Sequence, residues 1–261
     1  MIRVGVVGAA GRMGGTVCQA VVADPDLELV AAVDPHHAGL DLRHVAKVDS
    51  DLLLAPSPEA LTDAGAEVVV DFTVAAAARG NLAYAAENGI HAVVGTTGFD
   101  DDDLAALRAA FTRSNCVVAP NFAIGAVLLM RFAELAAPWF ESAEIIELHH
   151  DGKVDAPSGT AVSTAQRMAA ASDSWIADPT ETFAIEGARG GRGPAGIPVH
   201  SVRLRGLVAH QEVLLGTTGQ TLTLRHDSLD RSSFMPGVVL AVKAVADHPG
   251  VTVGLDALLG I

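Results

Sequence analysis

The sequence predicts an α/β protein in which a parallel sheet comes first and a smaller α+β domain with a mixed sheet follows. In the first half, short β-branched runs alternate with alanine-rich segments. The runs are apolar almost throughout, which is typical of parallel strands that helices cover on both faces. After Pro120 the pattern changes to a long helix and, later, to three extended segments in succession. This change marks the expected boundary between two domains.

The first half contains strands and helices in regular alternation. Short β-branched runs between turn residues predict strands, and longer alanine-rich runs predict helices. We expect strands at residues 3–7, 28–34, 67–72, 91–95 and 116–119, with a weaker signal at 52–54, and helices at 13–23, 75–88 and 101–112. The last of these helices begins with several aspartates, which stabilise a helix N-terminus.

The second half is predicted to hold a different sheet. We expect a helix at 124–140, a strand at 142–149, a helix from Thr160, a glycine-rich flexible loop at 172–198, and extended segments at 199–205, 211–215 and 221–226. Successive extended segments with turns between them predict an antiparallel or mixed sheet. A helix at 237–247 and a short apolar tail close the chain. The expected domains are residues 1–121 completed by 231–261, and residues 122–230.

The composition excludes several classes of partner. Of the 261 residues, 50% are hydrophobic, and the formal net charge is −14, so no basic tract exists to neutralise the phosphates of a nucleic acid. Cys18 and Cys116 have no metal-like spacing and are expected to be buried. The longest apolar stretch, 124–140, contains Arg131 and Glu134 and is expected to be a buried helix instead of a membrane span. No signal peptide is visible, so we expect a cytoplasmic protein with no membrane partner.

A glycine-rich segment, Gly8-Ala9-Ala10-Gly11-Arg12-Met13-Gly14, follows the first predicted strand and opens the first helix. It is a variant of the dinucleotide-binding fingerprint, in which small residues let the backbone approach a pyrophosphate at the helix N-terminus. Asp34 ends the second strand 20 residues after Gly14, where an acidic residue binds a ribose. A glycine turn with a purely structural role is the alternative. We therefore predict a Rossmann-like cofactor domain with these candidate binding residues: Gly8, Ala9, Ala10, Gly11, Arg12, Met13 and Asp34.

Further candidate cofactor contacts follow the later strands. In open parallel sheets, ligands bind beyond the carboxyl ends of the strands, and small or hydroxyl-bearing residues there suit a nicotinamide-ribose. For each segment alone an ordinary turn is the alternative, and segment 119–122 is also a candidate hinge at the domain boundary. The candidates are Phe72, Gly95, Thr96, Thr97, Ala119, Pro120, Asn121 and Phe122.

The most informative segment is 147–161, which reads Glu-Leu-His-His-Asp-Gly-Lys-Val-Asp-Ala-Pro-Ser-Gly-Thr-Ala. Histidine and lysine exchange protons, and a helix start offers free N–H groups and a partial positive charge. Together they describe a site that holds a carboxylate and protonates a group beside it. A polar loop before a helix is the alternative. The candidate residues are His149, His150, Lys153, Ser158, Gly159 and Thr160.

A metal site is the competing interpretation of the histidine pair. Neighbouring residues of a strand point to opposite faces, so His149 and His150 cannot easily bind one ion together. No further His, Cys or Asp lies at a catalytic zinc spacing. We therefore expect no metal.

Taken together, these motifs resemble one family. The chain resembles the 4-hydroxy-tetrahydrodipicolinate reductase (dihydrodipicolinate reductase) family of bacterial lysine and diaminopimelate biosynthesis over essentially its whole length. The resemblance rests on segments 8–14, 71–73, 95–98, 119–122 and 147–161. Segments 206–213 and 225–231 are most similar to the actinobacterial branch of the family.

The resemblance implies an oxidoreductase that uses NADH or NADPH to reduce a cyclic imine dicarboxylate, with hydride passing from the nicotinamide to the ring and the 4-hydroxyl leaving as water. It implies that His149 is a proton donor or acceptor, that Lys153 is a proton donor, and that His150 contacts the substrate. It also implies that Gly159 and Thr160 bind a substrate carboxylate at the helix start, beside Ser158. The implied assembly is a homotetramer built through the substrate domains.

Residues after the second strand bear on the choice of cofactor. Many members of the family carry Arg or Lys there, against the 2′-phosphate of NADPH, whereas this chain has Pro35-His36-His37. Asp34 can accept hydrogen bonds from both ribose hydroxyls of NADH and would repel a 2′-phosphate. Arg12, with a protonated His36 or His37, would offset that repulsion. We expect NADH to be used with an efficiency at least comparable to that of NADPH.

Two other functions stay open from the residues alone. A different small-molecule dehydrogenase would fail to bind pyridine-2,6-dicarboxylate, a product analogue that the family enzyme should bind. An NAD(P)H-binding sensor without turnover would have no need for Lys153 together with the anion site at 158–160. Their joint presence favours an enzyme.

Overall fold

The computed structural model describes residues 1–261, which form two compact units. Unit 1 contains Met1–Phe122 and Phe234–Ile261, and unit 2 contains Ala123–Ser233. The strands of unit 1 are β1 (Ile2–Val7), β2 (Leu27–Val33), β3 (Val68–Asp71), β4 (His91–Val94), β5 (Cys116–Val118) and β11 (Val251–Val253). Its helices are α1 (Arg12–Ala23), α2 (Leu42–Ala46), α3 (Glu59–Asp63), α4 (Ala75–Glu87), α5 (Asp101–Ala110), α8 (Met235–Ala244) and α9 (Asp256–Leu259).

Unit 2 holds the remaining elements. Its strands are β6 (Ser142–His149), β7 (Gly191–Arg192), β8 (Pro198–Arg203), β9 (Ala209–Thr217) and β10 (Gln220–Ser228), and its helices are α6 (Ile124–Ala136) and α7 (Gly159–Ala171).

All strands of unit 1 run parallel in one sheet, in the order β2-β1-β3-β4-β5-β11. Every residue of β3 is buried, as its apolar sequence predicts. Strand β1 has β2 on one side and β3 on the other. The direction in which successive strands are added to the sheet therefore reverses at β1. Such a reversal opens a crevice beyond the carboxyl ends of the strands on either side of it. The predicted Rossmann-like parallel sheet is confirmed.

Helices cover both faces of this sheet. On one face, α3, α4 and α5 bury Leu61, Leu82 and Leu107 in a cluster with Val69 and Val94 of the strands. Strand residues of the other parity point to the opposite face, where α1 packs against α8. The crevice is therefore carried on a sheet that is buried from both sides.

Unit 2 is built on a mixed sheet with the order β10-β9-β6-β8-β7, which confirms the predicted sheet type. Strand β6 is parallel to β8 and antiparallel to β9. Alternate residues of β6 are buried, namely Ala143, Ile145 and Glu147. The first two join Leu129 of α6 and Met168 of α7 in the core of this unit. Both helices thus pack on the face of the sheet toward which Glu147 points.

One long helix prediction is wrong at its end. The helix predicted at 124–140 ends at Ala136, and Ala137–Trp139 form a 3₁₀ turn. The reason is Pro138, which has no N–H group to continue the α-helical hydrogen bonds and whose ring clashes with the carbonyl group four residues earlier. No helix of the structure combines the length and the apolar character needed to cross a bilayer.

Other differences concern short elements. The loop predicted at 172–198 contains β7 and a 3₁₀ turn at Pro194–Gly196, and the predicted apolar tail contains β11 and α9. The weak signal at 52–54 yields only isolated bridges, an antiparallel one from Leu53 to Asp41 and a parallel one from Ala55 to Val33. Helices α2 and α3 were not predicted, because five residues each are too few to show a helical period.

The turn between β1 and α1 depends on two glycines. Gly8 has a φ of +75°, in the left-handed region that favours glycine. A Cβ atom at Gly14 would lie 2.0 Å from the carbonyl oxygen of Gly8. Only glycine at position 14 lets α1 begin this close to the end of β1.

Replacing Gly14 with alanine is expected to lower the free energy of unfolding by about 1–3 kcal/mol, the usual cost of forcing extra atoms into a packed site. Gly80 in α4 is the matched control, because a Cβ there meets nothing within 4 Å. Gly80→Ala should instead stabilise by about 0.5–1 kcal/mol. Urea denaturation measures both changes, and equal effects of the two substitutions would contradict the steric argument.

Candidate active site

The first candidate site, in unit 1, begins at the loop between β1 and α1. Gly11 is the N-cap residue of α1, no side chain caps this helix, and no acidic residue occupies its first turn. Its N-terminal N–H groups can therefore bind an anion, which the helix dipole also favours. Gly8, Gly11 and Gly14 leave no Cβ atom in the way. These residues fit the pyrophosphate of a dinucleotide.

Asp34 lies directly after β2 and is buried. Its carboxylate accepts hydrogen bonds from the backbone N–H of Ala10 at 3.3 Å and of His36 at 3.1 Å, and it pairs with Nδ1 of His37 at 3.0 Å. The acid predicted to bind a ribose thus stands beside the glycine loop predicted to bind the pyrophosphate. Arg12, predicted to offset its charge, is exposed.

Four strand ends converge in this unit. The rings of Phe72 and Phe122 lie 5.7 Å apart between centroids. A Cβ at Gly95 would lie 2.0 Å from Cε1 of Phe72, so the ring lies directly on the backbone of Gly95. A Cβ at Gly8 would lie 2.9 Å from Cγ2 of Thr73. The segments after β1, β4 and β5, where cofactor contacts were predicted, therefore each contact the segment after β3.

The remaining predicted cofactor residues differ in exposure. Buried residues shape the site through their backbone, whereas exposed ones present side chains or N–H groups to solvent. Ala9, Thr96 and Ala119 are buried, Ala10, Met13 and Asn121 are partly exposed, and Gly11, Thr97 and Pro120 are exposed.

The second candidate site, in unit 2, is organised by Glu147, which is 0% exposed. Its Oε2 pairs with Nδ1 of His149 at 2.5 Å, and its Oε1 accepts a hydrogen bond from the backbone N–H of Ser158 at 3.2 Å. One buried carboxylate thus holds both the predicted proton-exchanging ring and the predicted helix start.

Arg203 on β8 neutralises this carboxylate. Its guanidinium donates from Nη1 to Oε2 of Glu147 at 2.9 Å and from Nη2 to Oε1 at 2.8 Å. It also donates to the backbone carbonyls of Lys153 at 3.3 Å and Asp155 at 2.6 Å. The loop that carries Lys153 is therefore tied to the same ion pair as His149 and Ser158.

Burial and the neighbouring charges shift the pKa values of Glu147 and His149. Burial raises the pKa of the Glu147 carboxyl, but hydrogen bonds from Arg203, Ser201 and His149 outweigh burial and hold the pKa below its ordinary value. Burial lowers the pKa of His149, and the partnership with Glu147 only partly opposes this. The cations Lys153 and Arg203 lower it further. His149 is therefore mainly neutral at pH 7, with the Nδ1 proton donated to Glu147.

Lys153 is paired with a residue that the sequence analysis did not single out. Its Nζ lies 2.8 Å from Oδ1 and 2.7 Å from Oδ2 of Asp155. The bond to Lys153 is also the main reason why the pKa of Asp155 lies below its ordinary value. A second carboxylate, supplied by a ligand, would compete with Asp155 for this ammonium group.

The helix start has the predicted form. Ser158 is the N-cap residue of α7, and its Oγ accepts a hydrogen bond from the N–H of Ala161 at 3.2 Å. Gly159 is exposed, Thr160 is partly exposed, and no acidic residue lies in the first turn of α7. His150 is exposed at the end of β6, whereas His149 is partly buried. The two histidines thus differ in environment, and no group of three or more potential metal ligands occurs in the structure.

Four residues that shape these sites were missed as functional candidates: Asp71, Glu147, Asp155 and Arg203. Glu147 was visible in principle, because it occupies an inward position of an alternating strand where an apolar residue is expected. Asp71 likewise ends a buried apolar strand. A buried carboxylate requires hydrogen-bond donors, but nothing local in the sequence points to Arg203.

The fold and the two sites define a class of protein. A parallel α/β unit with a glycine loop suited to a pyrophosphate and an acid at the ribose position binds a nicotinamide dinucleotide. In unit 2, a lysine and a histidine, which are residue types that can exchange protons, accompany a helix start that can bind an anion. The protein is an NAD(P)H-dependent oxidoreductase.

Within that class, the chain belongs to the dihydrodipicolinate reductase family. The family models for dihydrodipicolinate reductase match residues 2–122 with the N-terminal part and residues 125–259 with the C-terminal part. The match therefore covers both units.

Individual relatives agree with this assignment. A 4-hydroxy-tetrahydrodipicolinate reductase of Nocardia farcinica is 53% identical over 267 residues, covering 100% of this chain and 99% of that protein. One of Cutibacterium acnes is 52% identical over 268 residues and covers 100% of both chains. Both confirm the similarity to the actinobacterial branch. The structure of a dipicolinate-bound dihydrodipicolinate reductase from Paenisporosarcina sp. TG-14 superposes with a TM-score of 0.86 at 41% identity, covering 98% of this chain and 99% of that one.

The environment of His149 leads to a titration experiment. We expect the pKa of His149 to lie below 6.5 in the intact protein, because burial and two cations disfavour the imidazolium. Glu147→Gln should lower the pKa of His149 further. The Glu147 carboxylate is the only nearby group that favours the charged ring, and this substitution removes its negative charge. Histidine ring NMR during a pH titration measures this pKa. His91, in unit 1, is an internal control whose pKa should not move, and a His149 pKa above 6.5 would show that Glu147 outweighs burial.

Proposed function

We propose that this protein reduces 4-hydroxy-tetrahydrodipicolinate to tetrahydrodipicolinate with NADH or NADPH, in the biosynthesis of diaminopimelate and lysine. The observation that carries the proposal is the double role of Glu147, which holds His149 and the Ser158 helix start on one buried carboxylate. Reduction of an imine dicarboxylate requires groups that exchange protons and a site that binds carboxylates. The curated relatives that bear this name match along their whole length.

Binding of the substrate dianion is assigned to unit 2. The N-terminus of α7, with Ser158, Gly159 and Thr160, binds one carboxylate through backbone N–H groups and a hydroxyl. The ammonium group of Lys153 leaves the carboxylate of Asp155 and binds the substrate. His150, which is exposed, also contacts the substrate. Local positive charge is required because the whole protein is acidic, with a formal net charge of −14.

Proton transfer is assigned to Lys153 and His149. Loss of the 4-hydroxyl as water requires a proton to leave a ring carbon and a proton to reach the departing oxygen. His149 can take part as acceptor and then donor at Nε2, because its Nδ1 is held by Glu147. The bound nicotinamide supplies hydride. The ring takes up one further proton as it is reduced, and we assign this donation to the Lys153 ammonium.

The cofactor is assigned to unit 1. The N-terminus of α1 with Gly8 to Met13 would hold the pyrophosphate, and Asp34 the adenine ribose. The segments that end β3, β4 and β5 would hold the nicotinamide-ribose. Unit 1 therefore serves as the dinucleotide-binding domain and unit 2 as the substrate-binding and oligomerisation domain. A steady-state assay with enzymatically generated substrate and each cofactor tests the whole proposal, and binding of pyridine-2,6-dicarboxylate distinguishes it from other dehydrogenases.

Lys153→Met is expected to leave NADH binding intact but to lower kcat by at least about 10²-fold, the low end for a positioned general acid. Lys153→Arg should rescue little, because a guanidinium does not release a proton near pH 7. Single-turnover and steady-state kinetics with both variants measure the effect.

Lys47→Met is the matched control for this experiment, because Lys47 is exposed in unit 1. It should leave kcat unchanged. A Lys153→Met enzyme with normal kcat and a raised KM would show that Lys153 only anchors the dianion. In that case proton donation would pass to His149 or to water.

We expect NADH to be used at least comparably to NADPH, because the buried Asp34 carboxylate opposes a 2′-phosphate. Measurement of kcat/KM with each cofactor tests this expectation. Asp34→Asn should shift the ratio toward NADPH, with Asp24→Asn as a control carboxylate at the far end of α1. A preference of about 100-fold for NADPH in the unchanged protein, or roughly 2.7 kcal/mol, would mean that Arg12 and the histidines dominate.

We further propose a cytoplasmic homotetramer built through unit 2. The nine-residue strand β10 is the edge strand of its sheet, and an open edge of this length pairs readily with another chain. Phe183 and Ile185 are also exposed in the segment before β7. Light scattering at micromolar concentration should give the mass of four chains, and a stable monomer would refute the assembly.

A further inference from the structure

Asp71 is a buried acid for which the proposed chemistry has no use. It is the last residue of β3, it is 0% exposed, and three buried valines precede it in the strand. Burial of a carboxylate is costly unless hydrogen bonds replace its water. A further valine at this position would bury apolar surface without that cost, so the acid has a role other than filling the core.

Four neutral donors satisfy the carboxylate. Its Oδ1 accepts hydrogen bonds from the backbone N–H of Thr73 at 2.8 Å, from the Thr73 hydroxyl at 2.7 Å and from the Thr96 hydroxyl at 3.0 Å. Its Oδ2 accepts one from Nδ2 of Asn81 at 2.8 Å. Asp71 thus joins the loop after β3, the loop after β4 and helix α4 at one point.

These two loops carry the residues assigned to the nicotinamide-ribose. The Phe72 ring lies on the backbone of Gly95, and Thr73 approaches Gly8. The contact of Phe72 with Gly95 depends on the spacing of these two loops, which the short bonds to Asp71 determine. The glycine loop and Asp34, assigned to the adenosine diphosphate part, have no hydrogen bond to this network.

We propose that Asp71 is a positioning residue that holds the loops after β3 and β4 in the arrangement that binds the nicotinamide-ribose end of the dinucleotide. The inference rests on the proposed cofactor site in unit 1. The carboxylate oxygens of Asp71 hold the two loops by accepting hydrogen bonds. A variant that keeps an acceptor oxygen at this position should therefore keep most of the affinity for NADH.

Comparison of NADH with ADP separates this role from general damage, because ADP lacks the nicotinamide-ribose. Asp71→Ala leaves several buried donors without an acceptor and should raise the Kd for NADH at least about ten-fold. The Kd for ADP should stay within about two-fold, because its site lies on other loops. Both are measured by calorimetry well below the melting temperature of each variant.

Asp71→Asn is the conservative variant. Its amide oxygen keeps an acceptor with two lone pairs in the place of Oδ1, and its NH₂ group can donate to Asn81 once that amide is reversed. The Kd for NADH should therefore stay within about three-fold of the unchanged protein. Thr96→Val, which removes one donor of the network, should fold normally and weaken NADH more than ADP. Asp24→Asn, a carboxylate paired with Lys243 elsewhere in unit 1, should change neither Kd.

Three results would overturn the inference. These are equal weakening of NADH and ADP in Asp71→Ala, unchanged NADH binding in Asp71→Ala and Thr96→Val, and an Asp71→Asn variant as weak as Asp71→Ala, which would make charge and not geometry responsible. Failure of the unchanged protein to bind NADH would instead refute the proposed function. The two failures are therefore distinguishable.

Discussion

The ion pair between the buried Glu147 and the partly exposed Arg203 is the interaction on which the site of unit 2 depends. The parallel strands β6 and β8 place Ser201 opposite Glu147 and Arg203 opposite His149, so the long side chain of Arg203 reaches the Glu147 carboxylate from two positions further along β8. The pair then distributes its remaining bonding capacity to His149, to the N–H of Ser158 and to two carbonyls of the Lys153 loop. Loss of Arg203 is expected to cost about 3–5 kcal/mol, because the Glu147 charge would stay buried without its partner. Loss of the whole pair would release ring, helix start and loop together.

Each of the two units uses a buried acidic residue on a β-strand to hold its candidate site together. In each, a β-strand with buried apolar residues carries a fully buried acid at or near its carboxyl end, Asp71 in β3 and Glu147 in β6. The surroundings of the two acids differ. Asp71 is satisfied by neutral donors and ties loops together, whereas Glu147 is neutralised by a cation and polarises a histidine. In each unit a strand residue thereby holds the loops of the site in position.

Much of the architecture was predictable because it rests on local patterns. Apolar strands, alanine-rich helices and the glycine fingerprint identified the parallel sheet, and the helix start at Ser158 followed from its capping residue. The elements that were missed are short ones, such as α2, α3, β7 and β11, which have too few residues to show a period. The helix α6 ends earlier than predicted, because Pro138 stops it although the apolar sequence continues to Phe140.

Local patterns in the chain were enough to predict the class of fold, the segments that carry both candidate sites and the chemical types of their residues, because these depend on residues close together in the chain. The partners of those residues follow from the three-dimensional packing. Arg203 reaches Glu147 from 56 positions away, and Thr96 reaches Asp71 from 25. The short contact of Phe72 with Gly95 arises in the same way. Such pairings follow from strand order and register, which set distances in space that spacing along the chain does not contain.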